Sequence, residues 1–331
     1  MNALIHHGPT GLRGVKYGKI DDGQPGKHEV KIKLKSAGIN HRDLFVPNRR
    51  TAEAQPLVLG SDGAGVVEEV GEEVTNVKVG DKVIINPGIG WRNNSDAPPE
   101  EFEILGFPDH GTFAENIVIR AENVVPKPSF LTWEEAGALP LAALTAYRVL
   151  FSRANAKADQ TIFVPGIGSG VATFLLQFAK AIGARVIVTS RQEAKLQKAK
   201  EIGADRVIHT NDNWEQQLAD ETIDIVIESV GAATFNRSLS VLRKGGTMVT
   251  FGASAGDEVQ LNIRSFFYGQ YSLLGSTMGS HEEFLDMLNF IDKHEIKPII
   301  DSVYPLSKAL ESLKYLDKGE QFGKIVLDPT I

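Results

Sequence analysis

Short alternations of apolar and polar residues, broken by glycine, run from the start of the chain to about Val125. Val30-Lys31-Ile32-Lys33-Leu34 repeats with period two, which predicts a strand with one face in the core and one in water. Gly60-Ser61-Asp62-Gly63-Ala64-Gly65-Val66-Val67 and Val79-Gly80-Asp81-Lys82-Val83 place glycines where a small β structure turns or bends. This part reads as mainly β, with His6 and His7 as strand neighbours facing opposite ways.

After Pro126 the pattern changes. Thr161-Ile162-Phe163-Val164 is a short unbroken run, and Val171 to Ile182 then spaces Phe174, Leu175, Phe178 and Ala179 for one helix face. Gly183 closes that helix. A strand over Ala184 to Thr189, a helix over Gln192 to Ile202 and strands near Arg206-Val207-Ile208, Asp224 to Ile227 and Thr247 to Thr250 continue the rhythm. Strands covered on both faces read as continuous apolar runs, so the pattern predicts an α/β fold built on a doubly wound parallel sheet. Gly323-Lys324-Ile325-Val326-Leu327 returns to β character and is expected to rejoin the first part. The expected division is 1–122 with 278–331 for the β-rich domain and 123–277 for the sheet domain.

Composition narrows the chemistry. The chain of 331 residues carries 35 Lys plus Arg against 42 Asp plus Glu, a net charge of −7, which argues against a nucleic-acid binder. It has no cysteine, which excludes disulfides, thiolate catalysis and cysteine-ligated metals. The eight histidines show no metal-ligand spacing. The N-terminus turns polar too soon for a signal-peptide core and no apolar run is long enough to cross a bilayer, so a soluble cytoplasmic protein is expected.

Gly166-Ile167-Gly168-Ser169-Gly170-Val171-Ala172 lies between a predicted strand and a predicted helix. Glycines there let the backbone turn tightly and approach a pyrophosphate at the helix N-terminus, although Val171 occupies the last glycine position of the usual fingerprint. The next strand ends in Ser190-Arg191, with Lys195 a turn further on and no carboxylate at the tip. An acidic residue at this tip would bond the ribose of NAD. Arg191, Ser190 and Lys195 instead suit a ribose 2′-phosphate, which predicts NADPH as the cofactor. Later strand ends offer Val230-Gly231, Phe251-Gly252-Ala253 and Ser276 to the same crevice.

With these pieces in order, the chain resembles the medium-chain dehydrogenase/reductase superfamily, and within it the zinc-independent quinone oxidoreductases. The resemblance rests on Ala37-Gly38-Ile39-Asn40-His41-Arg42-Asp43, Gly60 through Val67, Val79 through Val83, and Gly111-Thr112-Phe113-Ala114-Glu115. Ala143-Leu144-Thr145-Ala146-Tyr147, the glycine turn and Gly323-Lys324-Ile325-Val326 complete it. It implies a GroES-like β-rich domain joined to a Rossmann domain, with the active site in the cleft between them. It also implies Asn40, His41, Asp43 and Thr145 near the nicotinamide, Lys324 among the cofactor contacts, and a homodimer formed through the last sheet strand near Ser272-Leu273-Leu274.

The departures from the family pattern matter most. Where zinc-dependent members carry a cysteine and a His-Glu pair, this chain has Asn40 and Ser61-Asp62, and the third ligand is absent near Ala142-Ala143. A three-ligand zinc site cannot be built from Asn, Ser and Ala, so no metal is expected. Without a Lewis acid to stabilise an alkoxide, the accessible task is hydride delivery to an electron-poor acceptor, a quinone or an α,β-unsaturated carbonyl. An NADPH-binding sensor without turnover, or action on another carbonyl substrate, is the alternative. Pro87 through Pro99 is long and polar, and reads either as a lid over the acceptor or as the remnant of a structural-zinc lobe.

Overall fold

Glu29–Gly38 is the spine of the β-rich part. It pairs antiparallel with Ala64–Val70 on one side and with Asn116–Arg120, and the C-terminal strand Lys324–Asp328 joins it through Val326↔Gly38 and Leu327↔Ala37. The computed structural model describes all 331 residues, Met1–Ile331. Val30, Ile32 and Leu34 are at most 1% exposed, as the alternation requires. Lys31 departs from it. The lysine stem is covered, and its ammonium is held by Asp22 at 2.9 Å and Glu69 at 3.5 Å, because the loop before the strand folds over that face.

The chain divides into two compact units, Met1–Leu144 with Gly279–Ile331, and Thr145–Met278. Residues 123–144 therefore cluster with the first unit, where Val124–Pro126 pairs with Lys82–Ile85. A second, three-stranded sheet of Val15–Lys19, Asn2–His6 and Leu57–Val58 completes the β structure of that unit. His6 at its end is fully buried. Arg50 Nε–H donates to its Nδ1 at 3.1 Å, so the ring hydrogen sits on Nε2 and donates to Pro9 O at 3.2 Å.

Burial, and after it the Arg50 charge, holds the His6 pKa below 6.5. The unfolded chain takes up this proton at higher pH than the folded one, so the stability contribution is complete above about pH 6.5 and is lost as pH falls below it. The melting temperature is expected to drop between about pH 7.5 and about pH 5, and to drop less in His6→Gln. His41, His110 and His281, also held low by burial, contribute to the part that remains. Equal drops in the two proteins would remove His6 as a cause.

The second unit is a six-stranded, all-parallel sheet. Its spatial order is Arg206–His209, Arg185–Ser190, Thr161–Val164, Ile223–Glu228, Leu242–Thr250 and Ser272–Gly275. The order reverses direction at Thr161–Val164, the topology that opens a crevice at the carboxyl ends of the strands. Phe174, Leu175, Phe178 and Ala179 of the helix Gly170–Ala181 are all at most 1% exposed. Burying each phenylalanine contributes about 1.5–3 kcal/mol. No helix is long and apolar enough to cross a membrane.

Candidate active site

In the second unit the strand Thr161–Val164 runs into a turn where Gly166 has φ +79° and Gly168 φ +133°, a backbone that residues with a Cβ rarely adopt. Ser169 caps the helix that follows, its Oγ accepting from Ala172 N at 3.1 Å, and Gly170 and Val171 open its first turn. The turn is tied to the neighbouring strand. Gly166 N donates to Thr189 Oγ1 at 3.1 Å and Ile167 N to Thr189 O at 2.8 Å. Residue 190 follows directly, so the glycine turn and the Ser190-Arg191 tip stand at the ends of neighbouring paired strands.

Ser190 is buried and Arg191 exposed, with Lys195 half-buried on the helix Glu193–Glu201. His209 supports this tip. Its Nδ1 accepts from Asn211 N at 3.3 Å, leaving Nε2 to donate to Arg191 O at 2.9 Å. Past the switch point, Ser254 N donates to Ser229 O and Ala255 N to Val230 O, at 3.3 and 2.7 Å, and Ala232 N to Gly256 O at 3.0 Å. The loops carrying Val230-Gly231 and Phe251-Gly252-Ala253 are thereby zipped together. Gly231 has φ +88°, and a Cβ there would meet Gly256 O at 2.3 Å. Ser276 N donates to Thr250 O, while its buried Oγ has no partner.

All these residues lie at the carboxyl ends of adjacent parallel strands. A glycine turn at a helix N-terminus, small residues beyond it and an unpartnered buried hydroxyl fit a dinucleotide cofactor. Gly166, Gly168, Ser169, Gly170 and Val171 would face its phosphates.

In the first unit, Asn40, Asp62 and Lys324 meet although they are far apart in sequence. Lys324 is 3% exposed, and its Nζ donates to Ile39 O at 2.7 Å, Asn40 Oδ1 at 2.5 Å and Asp62 Oδ2 at 3.4 Å. Asn40 Nδ2 donates to Asp62 Oδ2 at 2.9 Å and to Ser61 Oγ at 3.3 Å. Leu141 N reaches Asp62 Oδ1 at 2.9 Å. Both ends of the Asn40 amide are thus engaged within the protein, and the Lys324 ammonium has an oxygen for each of its three hydrogens.

Burial lowers the Lys324 pKa and raises that of Asp62, each opposed by the charge of the other. Asp43, accepting from Asn40 N at 2.8 Å, is pushed by burial up to about 6. His41 keeps its ring in contact with solvent, yet burial and then the Lys324 charge lower its pKa. Thr145 is buried in the helix Pro140–Tyr147 at the start of the second unit.

Sequence reading did not anticipate the part played by Asp62, nor that of Arg42. Arg42 Nη1 and Nη2 donate to Leu105 O at 2.7 Å and Ile104 O at 3.4 Å, anchoring the polar segment that follows the strand Gly88–Ile89. That segment is a fastened lobe. His281 N and Glu282 N, at the start of the helix His281–His294, donate to Trp91 O and Arg92 O at 2.8 and 3.1 Å, and Asn94 N donates to Glu282 Oε2 at 2.6 Å. A charged residue beside glycine inside an apolar motif, as in Gly60 to Gly63 and Gly323-Lys324, is the signal that could have found the buried pair.

The fold and the strand-end crevice define a two-domain nucleotide-dependent oxidoreductase. Residues 26–129 match the alcohol dehydrogenase GroES-like domain, and residues 170–293 match the zinc-binding dehydrogenase family. A zinc-type alcohol dehydrogenase-like protein of Schizosaccharomyces pombe is 35% identical, covering 90% of each chain. The quinone oxidoreductase of Mus musculus is 27% identical, over 92% of this chain and 90% of its own. A crystal structure of an NAD-dependent alcohol dehydrogenase superposes with a TM-score of 0.93 at 35% identity, covering 99% of both chains.

The chain belongs to the medium-chain dehydrogenase/reductase superfamily, with a GroES-like domain and a parallel six-stranded Rossmann-like sheet. It is an oxidoreductase that depends on NAD(P). The zinc that the family description implies does not fit the residues present. Asn40, Ser61 and Asp62 are an oxygen-rich, weakly ligating set, and Asn40 and Asp62 already accept from an ammonium group while Ser61 accepts from Asn40.

Proposed function

We propose that the protein is a zinc-independent, NADPH-dependent reductase of quinones or α,β-unsaturated carbonyls. The observation that carries this reading is Lys324, whose ammonium closes the oxygen set where a metal would have to sit. The reduced nicotinamide supplies a hydride, which with one proton turns a quinone into a hydroquinone or an enone into a saturated ketone. Ser190 and Arg191 favour NADPH by meeting the 2′-phosphate with a hydroxyl and a guanidinium. Val230, Gly231, Gly252 and Ala253 present small surfaces to the rest of the cofactor.

His41 is the proton carrier of this reading: its ring meets solvent, and burial with the Lys324 charge lowers its pKa, so its imidazolium form gives up a proton readily and regains one from water. Asn40 organises the polar cluster of the first unit, because its amide bonds Ser61, Asp62 and Lys324.

A homodimer is part of this proposal. The edge strand Ser272–Gly275 leaves Leu273 38% exposed, and Phe267 and Tyr268 on the adjoining helix are 48% and 66% exposed, a surface that needs covering. The deciding experiment follows oxidation of NADPH and of NADH by metal-analysed protein with benzoquinone and with cyclohexenone. Turnover by protein carrying far less than one zinc per chain, faster with NADPH, and a species of twice the 36.0 kDa chain mass are expected. Stoichiometric zinc with chelator-sensitive turnover would overturn the reading. Saturable NADPH binding without turnover would assign a binding module instead.

A further inference from the structure

Glu228, the last residue of the strand Ile223–Glu228, is 0% exposed and has no cationic partner. Every group it binds is neutral. Its Oε1 accepts from Val230 N at 2.7 Å, Gly231 N at 3.2 Å and Thr234 Oγ1 at 2.9 Å. Its Oε2 accepts from Thr234 Oγ1 at 3.0 Å and Ser238 Oγ at 2.6 Å. Burying a carboxylate without a counter-charge is costly, and only a full set of hydrogen bonds makes it tolerable.

The cluster carries a second local cost. Thr234 stands at the N-cap of the helix Phe235–Val241, where a threonine hydroxyl ordinarily accepts from the helix amides, yet it caps nothing because the hydroxyl is turned to Glu228.

Both costs fall on the loop Ser229-Val230-Gly231. This loop bends with Gly231 at φ +88° and is zipped to residues 253–256. A dinucleotide lying across a doubly wound sheet places its two halves on opposite sides of the switch point. The Ser190-Arg191 tip serves the adenosine half, so the loops after Ile223–Glu228 and Leu242–Thr250 serve the nicotinamide half.

We propose that Glu228 is a positioning residue for the nicotinamide half of the cofactor. It fixes the Val230-Gly231 backbone by holding both amides from beneath, with Thr234 and Ser238 locking the carboxylate in place. The proposal rests on the reading that the crevice binds NADPH.

The test compares binding of NADPH with that of adenosine 2′,5′-bisphosphate, which carries only the 2′-phosphorylated adenosine half. Glu228→Ala is expected to weaken NADPH by about tenfold, because it orphans two loop amides, and to leave the bisphosphate unchanged. Glu228→Gln keeps an acceptor oxygen for those amides and is expected to restore most of the loss. If Glu228→Ala does not fold, Thr234→Val, which frees the carboxylate to swing, is expected to show a smaller loss confined to NADPH.

Equal weakening of both probes would mean that Glu228 only supports the fold of the unit, and would overturn the proposal. Unchanged NADPH affinity in the folded variants would overturn it too. If the wild-type protein bound neither probe, the cofactor reading itself would fail, which is a separate and distinguishable result.

Discussion

Lys324→Met is expected to destabilise the GroES-like unit by about 3–5 kcal/mol, because it leaves the Asp62 carboxylate buried without its cation. Three acceptors lose their donor together, Ile39 O, Asn40 Oδ1 and Asp62 Oδ2. Asp62→Asn in the same background is expected to recover much of the loss. With the ammonium gone, the Asn40 amide is free to turn and present its oxygen to the amide introduced at position 62. The oxygen of that introduced amide still accepts from Leu141 N. Urea unfolding of the single and double variants measures the coupling directly. A loss below about 1 kcal/mol in Lys324→Met would show that the ion pair is dispensable and that another feature closes the cluster.

Arg191→Ala is the second large effect. Loss of a charge-assisted contact to the 2′-phosphate is expected to weaken NADPH by about 1.5–3 kcal/mol while NADH is little altered. Arg191 is exposed, and its carbonyl is held by His209 and its neighbour Ser190 by Gln192 N, so the tip keeps its shape when the side chain is cut back. Titration of cofactor fluorescence with each nucleotide reads the difference. Equal affinity for NADPH in the variant and the parent would remove the 2′-phosphate assignment.

The parallel sheet was legible because its strands are covered on both faces and so appear as unbroken apolar runs. Helix Gly170–Ala181 was legible because four of its residues recur at the spacing of one buried face. The glycine turn could be read from its place between the two.

What escaped were contacts that no local pattern encodes. Lys324 and Asn40 stand 284 positions apart, and the lysine reads as one more charge in a strand until its neighbours are known. Lys31 broke the alternation rule because two carboxylates from other segments cover it. Glu228 ends an apolar run as a polar terminator would, and its hydroxyl partners six and ten residues on belong to a helix start. Asn40 stands out in the sequence as a polar residue in an unusual place. The engagement of both ends of its amide is a property of the assembled cluster, not of the motif.

The C-terminal strand has a consequence for the order in which the chain matures on the ribosome. Thr145–Met278 is continuous, so all six parallel strands have emerged before the polypeptide is finished. The GroES-like unit cannot follow that schedule, because its spine Glu29–Gly38 waits for Lys324–Asp328 to pair with it. Until then Asp62 has no ammonium to face. The strand Lys324–Asp328, made after the whole parallel sheet, therefore brings the cation that the buried Asp62 faces in the first unit.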